Sequence, residues 1–296
     1  MKKFLKKYKY HALVIFAVWS FISGFKLYYT NFGKPNGFEE KYPLFLLNIV
    51  LIAIYAIPLI LLARYLTKRF EISKKVVTLS WIMGLTASLY LSGIGHLFVA
   101  LFWIKVINPP QSFINQWGAA VSGPFAEEFG KGLTVLIILL LFKKMDLKHA
   151  LVSGMIVGLS FQIIEDCIFT FRNVFVANGE GFATLIERIV HAGGTHWTFS
   201  ILFAVGMVAL IAKNTGFSKI QGVFWLIMGI FAHFLVNSPF NDGIDSKTGE
   251  VTVLILTFNL CLAIAAIISV DKIETNKTED ACPEKQNKNE HSSVLM

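Results

Sequence analysis

Apolar residues fill eight long stretches of the chain, separated by short polar connections. A helix needs about 20 apolar residues to cross the roughly 30 Å of hydrocarbon in a bilayer. The stretches are close to that length or longer, and they lie near residues 11–30, 43–63, 76–104, 117–142, 149–171, 187–212, 220–238 and 251–270. The pattern predicts an all-α, polytopic membrane protein with about eight transmembrane helices.

The connections between the stretches alternate in basic charge. Lysine and arginine are frequent in the N-terminal tail and in residues 64–75, 143–148 and 213–219, and they are sparse or offset by acids in the intervening connections. Because cytoplasmic connections of membrane proteins carry the excess of Lys and Arg, we expect both termini in the cytoplasm. The first stretch has no signal-peptide cleavage site before its charged end at Lys26, so it is predicted to remain as the first helix.

Composition excludes a water-soluble protein. Hydrophobic residues make up 55% of the 296 residues and charged residues only 16%, whereas about a quarter of an ordinary globular protein is charged. The net charge of +8 lies beside the apolar stretches, and it therefore indicates orientation in the membrane and not nucleic-acid binding. The three cysteines are too far apart to predict a disulfide framework or a metal-binding knuckle.

Polar content divides the chain into four predicted parts. Three N-terminal helices occupy residues 1–116, a catalytic four-helix core occupies 117–240, and a last helix occupies 241–270. From Asp271 onwards the sequence is rich in Lys, Glu, Asn, Thr and Ser, a composition that cannot bury enough apolar surface to fold. Residues 271–296 are therefore predicted to form a disordered cytoplasmic tail without a catalytic role.

Ionisable side chains gather in the fourth to seventh apolar stretches. A charge near the middle of a bilayer costs at least about 2.5 kcal/mol, so each such group is a functional candidate. Counted at about 1.5 Å per residue, the groups lie at one level in the outer half of the membrane. They are Glu127, Glu128 and Lys131 in the fourth stretch, Glu165 in the fifth, Arg188 and His196 in the sixth, and His233 and Asn237 in the seventh.

Helical spacing assigns partners within this set. Glu127 and Lys131 are four residues apart in the favourable order for an ion pair, which would leave Glu128 free for chemistry. His233 and Asn237 share one helix face, where the amide could orient the imidazole or bind a substrate carbonyl.

Two further histidines are predicted to lie outside the pocket. His191 and His196 point about 140° apart on one helix, so both are not expected in one site. His96 is interpreted as a neutral histidine hydrogen-bonded between helices.

Two routes of water activation are open. In one, Glu165, His196 and His233 bind a divalent metal, with zinc favoured, and a glutamate takes the proton from water. In the other, no metal is present and a buried glutamate acts as the base while His and Asn stabilise an oxyanion. The catalytic candidates are Glu127, Glu128, Glu165, His196 and His233, and the substrate-binding or orienting candidates are Lys131, Arg188 and Asn237.

The ordered motifs resemble those of the PrsW-type intramembrane proteases, relatives of the CAAX prenyl-protease and bacteriocin-processing superfamily. The motifs, over roughly residues 117–240, are Glu127-Glu128-x-x-Lys131, Gly158-x-x-Phe161-x-x-x-Glu165, Arg188 followed by His196 and Thr198, and His233-x-x-x-Asn237. The resemblance implies a protease of a bacterial-type cytoplasmic membrane. Such a protease cleaves a membrane-anchored protein, typically an anti-sigma factor, near the outer face to start a signalling cascade.

Two departures from related patterns are visible. Asp166 stands where the family usually has Asn after the second-motif glutamate. A CAAX-type prenyl-protein protease usually has His in place of Glu165, so that branch fits less well.

Two other classes of function use intramembrane acids and histidines. A proton-coupled secondary transporter uses them as proton relays, but its site usually lies near the midplane between two repeated halves, and the first half of this chain has no matching polar set. An inactive scaffold would use the cluster only as contacts between helices. For the protease, the expected partners are a single-span protein substrate and the lipid bilayer, and nucleic acid is not expected.

Overall fold

The computed structural model describes residues 2–33, 39–192, 195–241 and 249–280. Within these ranges the chain is built from helices and short connections, as the apolar pattern predicts. The helices are α1 (Lys2–Phe32), α2 (Tyr42–Arg69), α3 (Lys74–Leu85), α4 (Ala87–Phe102), α5 (Gln111–Phe142), α6 (Leu147–Phe171), α7 (Phe182–Ala192), α8 (His196–Ile211), α9 (Lys219–Asn237) and α10 (Glu250–Asp280).

Six helical segments of the described chain are long and apolar enough to cross a membrane, and there are seven if α7 and α8 form one bent span. The remaining predicted span is α5, which has 32 residues but carries Glu127, Glu128 and Lys131 along its length. The molecule is thus an all-helical, multi-pass protein with six to seven candidate membrane spans.

The predicted span at residues 76–104 is divided into α3 and α4. Thr86 interrupts the helix with φ −120° and ψ −73°, and its hydroxyl donates to the carbonyl of Ile82 at 2.7 Å. Gly24 of α1 packs against this interruption, where a Cβ would lie 2.1 Å from the carbonyl oxygen of Thr86. The apolar pattern runs through residue 86 without a change, so it did not indicate the break.

Helices α6 and α8 form the centre of the bundle. Every residue of α8 from His196 to Ala209 is buried, and α6 packs against α2, α3, α5 and α8. A Cβ on Gly154 would lie 2.7 Å from the carbonyl oxygen of Ser200, and one on Gly158 would lie 2.6 Å from that of His196. These glycines let the two backbones approach closely, which holds the start of α8 beside the polar face of α6.

The last helix continues past the point where the sequence predicts disorder. Helix α10 reaches Asp280, so the prediction of a disordered tail is wrong for residues 271–280. Asp271 pairs with Arg69 at 2.9 Å and Glu274 pairs with Lys148 at 3.3 Å. The acidic residues that lower the apolar content here neutralise basic residues at the ends of α2 and α6. Residues 281–296 lie outside the described residues.

Candidate active site

Four helices bring their polar side chains together near one end of the bundle. Glu127 and Glu128 lie on α5, and Glu165 lies on α6 six residues before that helix ends. His196 is the first residue of α8, and His233 lies on α9 four residues before its end. Although Glu127 and Glu128 lie near the middle of α5 and the other groups lie near helix ends, the side chains from the four helices meet in one cluster.

Lys131 is the central cation of the site. Its side chain is fully buried, and its Nζ lies 2.6 Å from Glu128 Oε1 and 3.5 Å from Glu127 Oε2. Nζ also donates to Nδ1 of His196 at 2.8 Å and lies 4.4 Å from the centre of the Phe161 ring. The expected pair of Glu127 with Lys131 therefore forms, but Glu128, which was expected to be free, also pairs with Lys131. Glu128, three positions before Lys131, makes the shorter of the two contacts and is therefore not free.

Glu128 orients His233. Its Oε1 accepts a hydrogen bond from His233 Nδ1 at 2.9 Å, and its Oε2 accepts one from the Ser200 hydroxyl at 3.1 Å. Both carboxylate oxygens thus have donors, which compensates for their removal from water. A carboxylate on one ring nitrogen of histidine leaves the other nitrogen available to a ligand. That nitrogen, Nε2 of His233, lies 3.9 Å from Glu127 Oε2.

Glu165 and Arg188 border His196 on its other side. His196 Nε2 lies 3.3 Å from Glu165 Oε2, and the same oxygen accepts a hydrogen bond from Arg188 Nη2 at 2.6 Å. Arg188 Nε donates to Asp166 Oδ1 at 2.5 Å. One guanidinium therefore neutralises two adjacent carboxylates. Even so, the Glu165 side chain keeps 17% of its surface exposed, against 9% for Glu127 and none for Glu128.

One protein family matches the part of the chain that builds this site. The model of the PrsW family intramembrane metalloproteases covers residues 73–266, which is about two thirds of the chain. This chain belongs to the PrsW family. No curated protein and no solved structure gives a significant match.

Membership of the PrsW family makes the chain a membrane-embedded peptide hydrolase. It confirms the resemblance drawn from the four motifs and the expectation of an enzyme. The matched region begins at residue 73, well before those motifs, and so includes α3 and α4. Helix α4 packs tightly on α5, since a Cβ on Gly95 would lie 2.6 Å from the carbonyl oxygen of Ala126.

A metalloprotease requires a metal ion, and three buried side chains of this PrsW-family protein fit one. One potential ligand atom from each of Glu127, His196 and His233 lies within 4.8 Å of the other two. Glu127 Oε2 is buried and has no hydrogen-bond partner among the described residues. A Cβ on Gly123 would lie 3.6 Å from Glu127 Oε1 and 3.8 Å from His233 Nε2, so the backbone of α5 runs directly beside both groups. One carboxylate and two imidazoles form a known donor set of catalytic zinc sites.

The charge balance of the cluster also fits a divalent cation. With neutral histidines, the acids exceed the cations by two formal charges, an imbalance that is costly inside a membrane protein. A divalent cation would remove this excess. The acids are Glu127, Glu128, Glu165 and Asp166, and the cations are Lys131 and Arg188.

The buried trio differs from the predicted ligand set at one position. The sequence predicts Glu165 with His196 and His233, whereas the structure groups Glu127 with the two histidines. Glu165 is engaged by Arg188 instead. Spacing along single helices could not distinguish these carboxylates, because they lie on different helices and the choice depends on how α5 and α6 are rotated.

Asn237 lies next to this cluster, whereas His191, in the part of the chain that the structure describes, does not contribute its side chain to it. Asn237 Nδ2 donates to the carbonyl of Ala119 at 3.5 Å and lies 2.7 Å from the Cβ position of Gly123, so the amide lies next to the glycine that adjoins Glu127 and His233. Asn241 donates to the carbonyl of His191 at 2.9 Å. Within the described residues the His191 side chain makes no contact with the cluster, in line with the spacing argument.

Two contacts of the site were not anticipated. Ser200 lies four residues after His196, and this spacing was the available signal for a second polar group on the same face of α8. His96 does link two helices, as interpreted, but its partner is Glu127 Oε1 at 3.3 Å. Its side chain is 44% exposed, so His96 connects a buried site carboxylate to the surface of the bundle.

Proposed function

We propose that this PrsW-family protein cleaves a single-span membrane protein near the extracytoplasmic face of a bacterial-type cytoplasmic membrane. Zinc is held by Glu127, His196 and His233 in this proposal. The observation that carries it is the burial of this trio beside a further carboxylate, inside a multi-pass bundle. A regulator such as an anti-sigma factor is the substrate class that the family resemblance favours.

Glu165 is the proposed general base. Zinc, when bound, supplies a Lewis acid that activates water and polarises the scissile carbonyl. The Glu165 carboxylate accepts a proton from the attacking water and delivers it to the nitrogen of the leaving amine. The water oxygen forms a bond to the carbonyl carbon, the carbon–nitrogen bond breaks, and the products are a carboxylic acid and an amine. Glu165 suits this role because it is the most exposed of the three glutamates and borders His196.

The surrounding residues hold this arrangement. Glu128 fixes the ring of His233 through Nδ1, and Lys131 compensates the buried carboxylates. Asn237 lies next to Gly123, and we assign to its amide the binding of a substrate carbonyl. An amide donor placed where negative charge develops stabilises the transition state.

Charge supports an extracytoplasmic site. The connection between α5 and α6, at the bundle end opposite the site, contains Lys143 and Lys144. The connection between α8 and α9, at the same end, contains Lys213. Basic connections remain in the cytoplasm, so the end that carries the site faces outward. With α5 as a further span, the same rule gives cytoplasmic termini.

The test maps new protein termini in membranes that contain the full-length protein. Wild-type and Glu165→Gln proteins are expressed in the same host, and new N-termini of membrane proteins are identified by mass spectrometry. We expect wild-type protein to produce termini near the extracytoplasmic ends of single spans, and the Glu165→Gln protein to produce none. In isolated membranes a chelator should stop cleavage and added zinc should restore it.

Two results would contradict the proposal. Identical termini from the wild-type and Glu165→Gln proteins would exclude Glu165 as the base. Cleavage that a chelator does not affect would favour the metal-free glutamate route over zinc.

A further inference from the structure

Asp166 is a buried carboxylate that receives donors from three helices. It follows Glu165 on α6 and is almost fully buried. The Tyr55 hydroxyl on α2 donates to Asp166 Oδ2 at 2.5 Å, and Gln162 Nε2 donates to the same oxygen at 2.9 Å. Arg188 Nε on α7 donates to Oδ1 at 2.5 Å. A buried carboxylate with donors on both oxygens is held in one orientation.

A series of polar contacts leads from Asp166 to His196, one of the proposed metal ligands. Arg188 donates through Nη2 to Glu165 Oε2 at 2.6 Å, and that oxygen lies 3.3 Å from His196 Nε2. The guanidinium is planar and its donors point in fixed directions. Fixing its Nε on Asp166 therefore also fixes its Nη2 on Glu165. Tyr55 lies at the far end of a chain of four contacts that ends on His196.

Tyr55 belongs to a helix outside the matched family region, which begins at residue 73. Much of α2 faces outward, with Val50, Ile54 and Leu61 exposed. The Tyr55 hydroxyl instead points into the bundle toward Asp166. We propose that Tyr55 is a positioning residue for His196, acting through Asp166, Arg188 and Glu165, which makes α2 part of the functional unit. The inference rests on the proposed metal site.

Tyr55→Phe is the most conservative way to break this chain. It removes one oxygen atom and keeps the ring, while Asp166 retains its bonds from Gln162 and Arg188. Without the hydroxyl, Asp166 loses one of its two donors on Oδ2 and Arg188 is held less firmly. Loss of an outer partner of metal-binding residues weakens metal affinity about 10- to 100-fold. We expect about tenfold for Tyr55→Phe, because Tyr55 is the most distant member.

Tyr65→Phe is the matched control. It removes the same atom from the same helix, but Tyr65 is 62% exposed. Zinc alone is titrated into metal-free, full-length protein in detergent, in competition with a fluorescent chelator. The absorption spectrum of the Co²⁺-loaded protein reports the geometry of the ligands. We expect Tyr55→Phe to weaken zinc binding and shift the cobalt spectrum while the metal-free protein remains folded, and Tyr65→Phe to match wild type.

The results that would contradict this inference can be distinguished from those that would contradict the proposed function. If wild type binds zinc and Tyr55→Phe has the same affinity and cobalt spectrum, this inference is overturned and the proposed function stands. If wild type binds no zinc, the proposed metal site fails and the inference fails with it. Equal losses in Tyr55→Phe and Tyr65→Phe would also overturn it.

Arg188→Lys is a second variant, used if Tyr55→Phe protein does not fold. It keeps the positive charge but loses the planar fork that joins the two carboxylates, so we expect a loss of zinc affinity of at least tenfold. Unchanged affinity in this variant would refute the chain of contacts.

Discussion

The inner helix α6 and the outer helices α1 and α2 are all apolar enough to cross a membrane, but their surroundings differ. In the most apolar part of α6, 83% of residues are buried in the protein, against 17% in α1 and in α2. Helix α6 carries Gln162, Glu165 and Asp166, whereas α1 exposes residues such as Ile22 and Phe25. Polar groups accumulate where neighbouring helices, and not lipid, surround a span, because only protein supplies their partners.

The largest contrast should come from replacing histidines. His196→Ala and His233→Ala each remove a proposed zinc ligand on an inner helix, so we expect loss of zinc binding and of cleavage while the protein remains in the membrane. His11→Ala on the outer helix α1 removes an exposed imidazole and should change neither property. Zinc content and new protein termini are the measurements. An active His233→Ala protein would remove the basis for assigning function to the inner helices.

A buried ion pair of the inner helices should contribute more to the free energy of unfolding than an exposed ion pair of the outer helices. Lys131→Met removes the buried partner of Glu128 and leaves carboxylates uncompensated, which costs about 3–5 kcal/mol. Arg69→Met breaks a pair with Asp271 whose side chains are 47% and 37% exposed, so we expect a loss of at most about 1 kcal/mol. Unfolding in detergent with increasing denaturant measures both. Similar losses for the two variants would contradict the comparison.

Two glycines test whether close helix packing matters more among the inner helices than at an open position of α4. A Cβ on Gly158 would lie 2.6 Å from the carbonyl oxygen of His196. Gly158→Ala should therefore separate α6 from α8, cost about 1–3 kcal/mol and reduce cleavage by displacing His196. Gly93 on α4 has no atom within 4 Å of its Cβ position, so Gly93→Ala is the control. Thermal unfolding and the cleavage assay should agree, and a larger effect at Gly93 would refute the packing argument.

The smallest effect is expected at the start of α6, outside the membrane span. Asp146 Oδ1 accepts hydrogen bonds from the His149 backbone at 3.0 Å and from its Nδ1 at 2.7 Å. Burial would raise the pKa of Asp146, but its hydrogen bonds with His149 outweigh burial and lower the pKa below its usual value. Since the folded pKa is the lower one, the stabilisation exists above the unfolded value of about 3.9 and is lost as pH falls through the folded value.

Asp146→Ala should therefore destabilise the protein by about 1 kcal/mol at neutral pH. The difference from wild type should shrink as the pH falls below about 4. Asp146→Asn retains an amide oxygen that can cap the helix, and it should keep most of the stability at neutral pH. Melting temperatures measured across this pH range test the prediction, and a constant difference for Asp146→Ala would show that the charge has no part in it.

Much of the fold was predictable because a lipid-exposed helix must be apolar along its length. The stretches at residues 43–63 and 251–270 lie within α2 and α10 for this reason. The break at Thr86 was not predictable from the local apolar pattern, and the residue that packs against it, Gly24 of α1, is distant in sequence. The helical continuation beyond Asp271 was not predictable from composition either, because its acidic residues pair with Arg69 and Lys148 on helices distant in sequence.

The amino-acid pattern alone was enough to predict a helical membrane protein, the polar helices that carry the candidate chemistry, and the family motifs. Those properties follow from local periodicity and from the cost of placing charges in lipid. Three contacts became visible only once the helices were packed together: Lys131 pairs with Glu128, Glu127 groups with the two histidines, and Tyr55 reaches Asp166. These contacts depend on how whole helices are rotated and how closely they approach. Contacts between different helices have no characteristic spacing along the sequence, so the sequence pattern could not predict them.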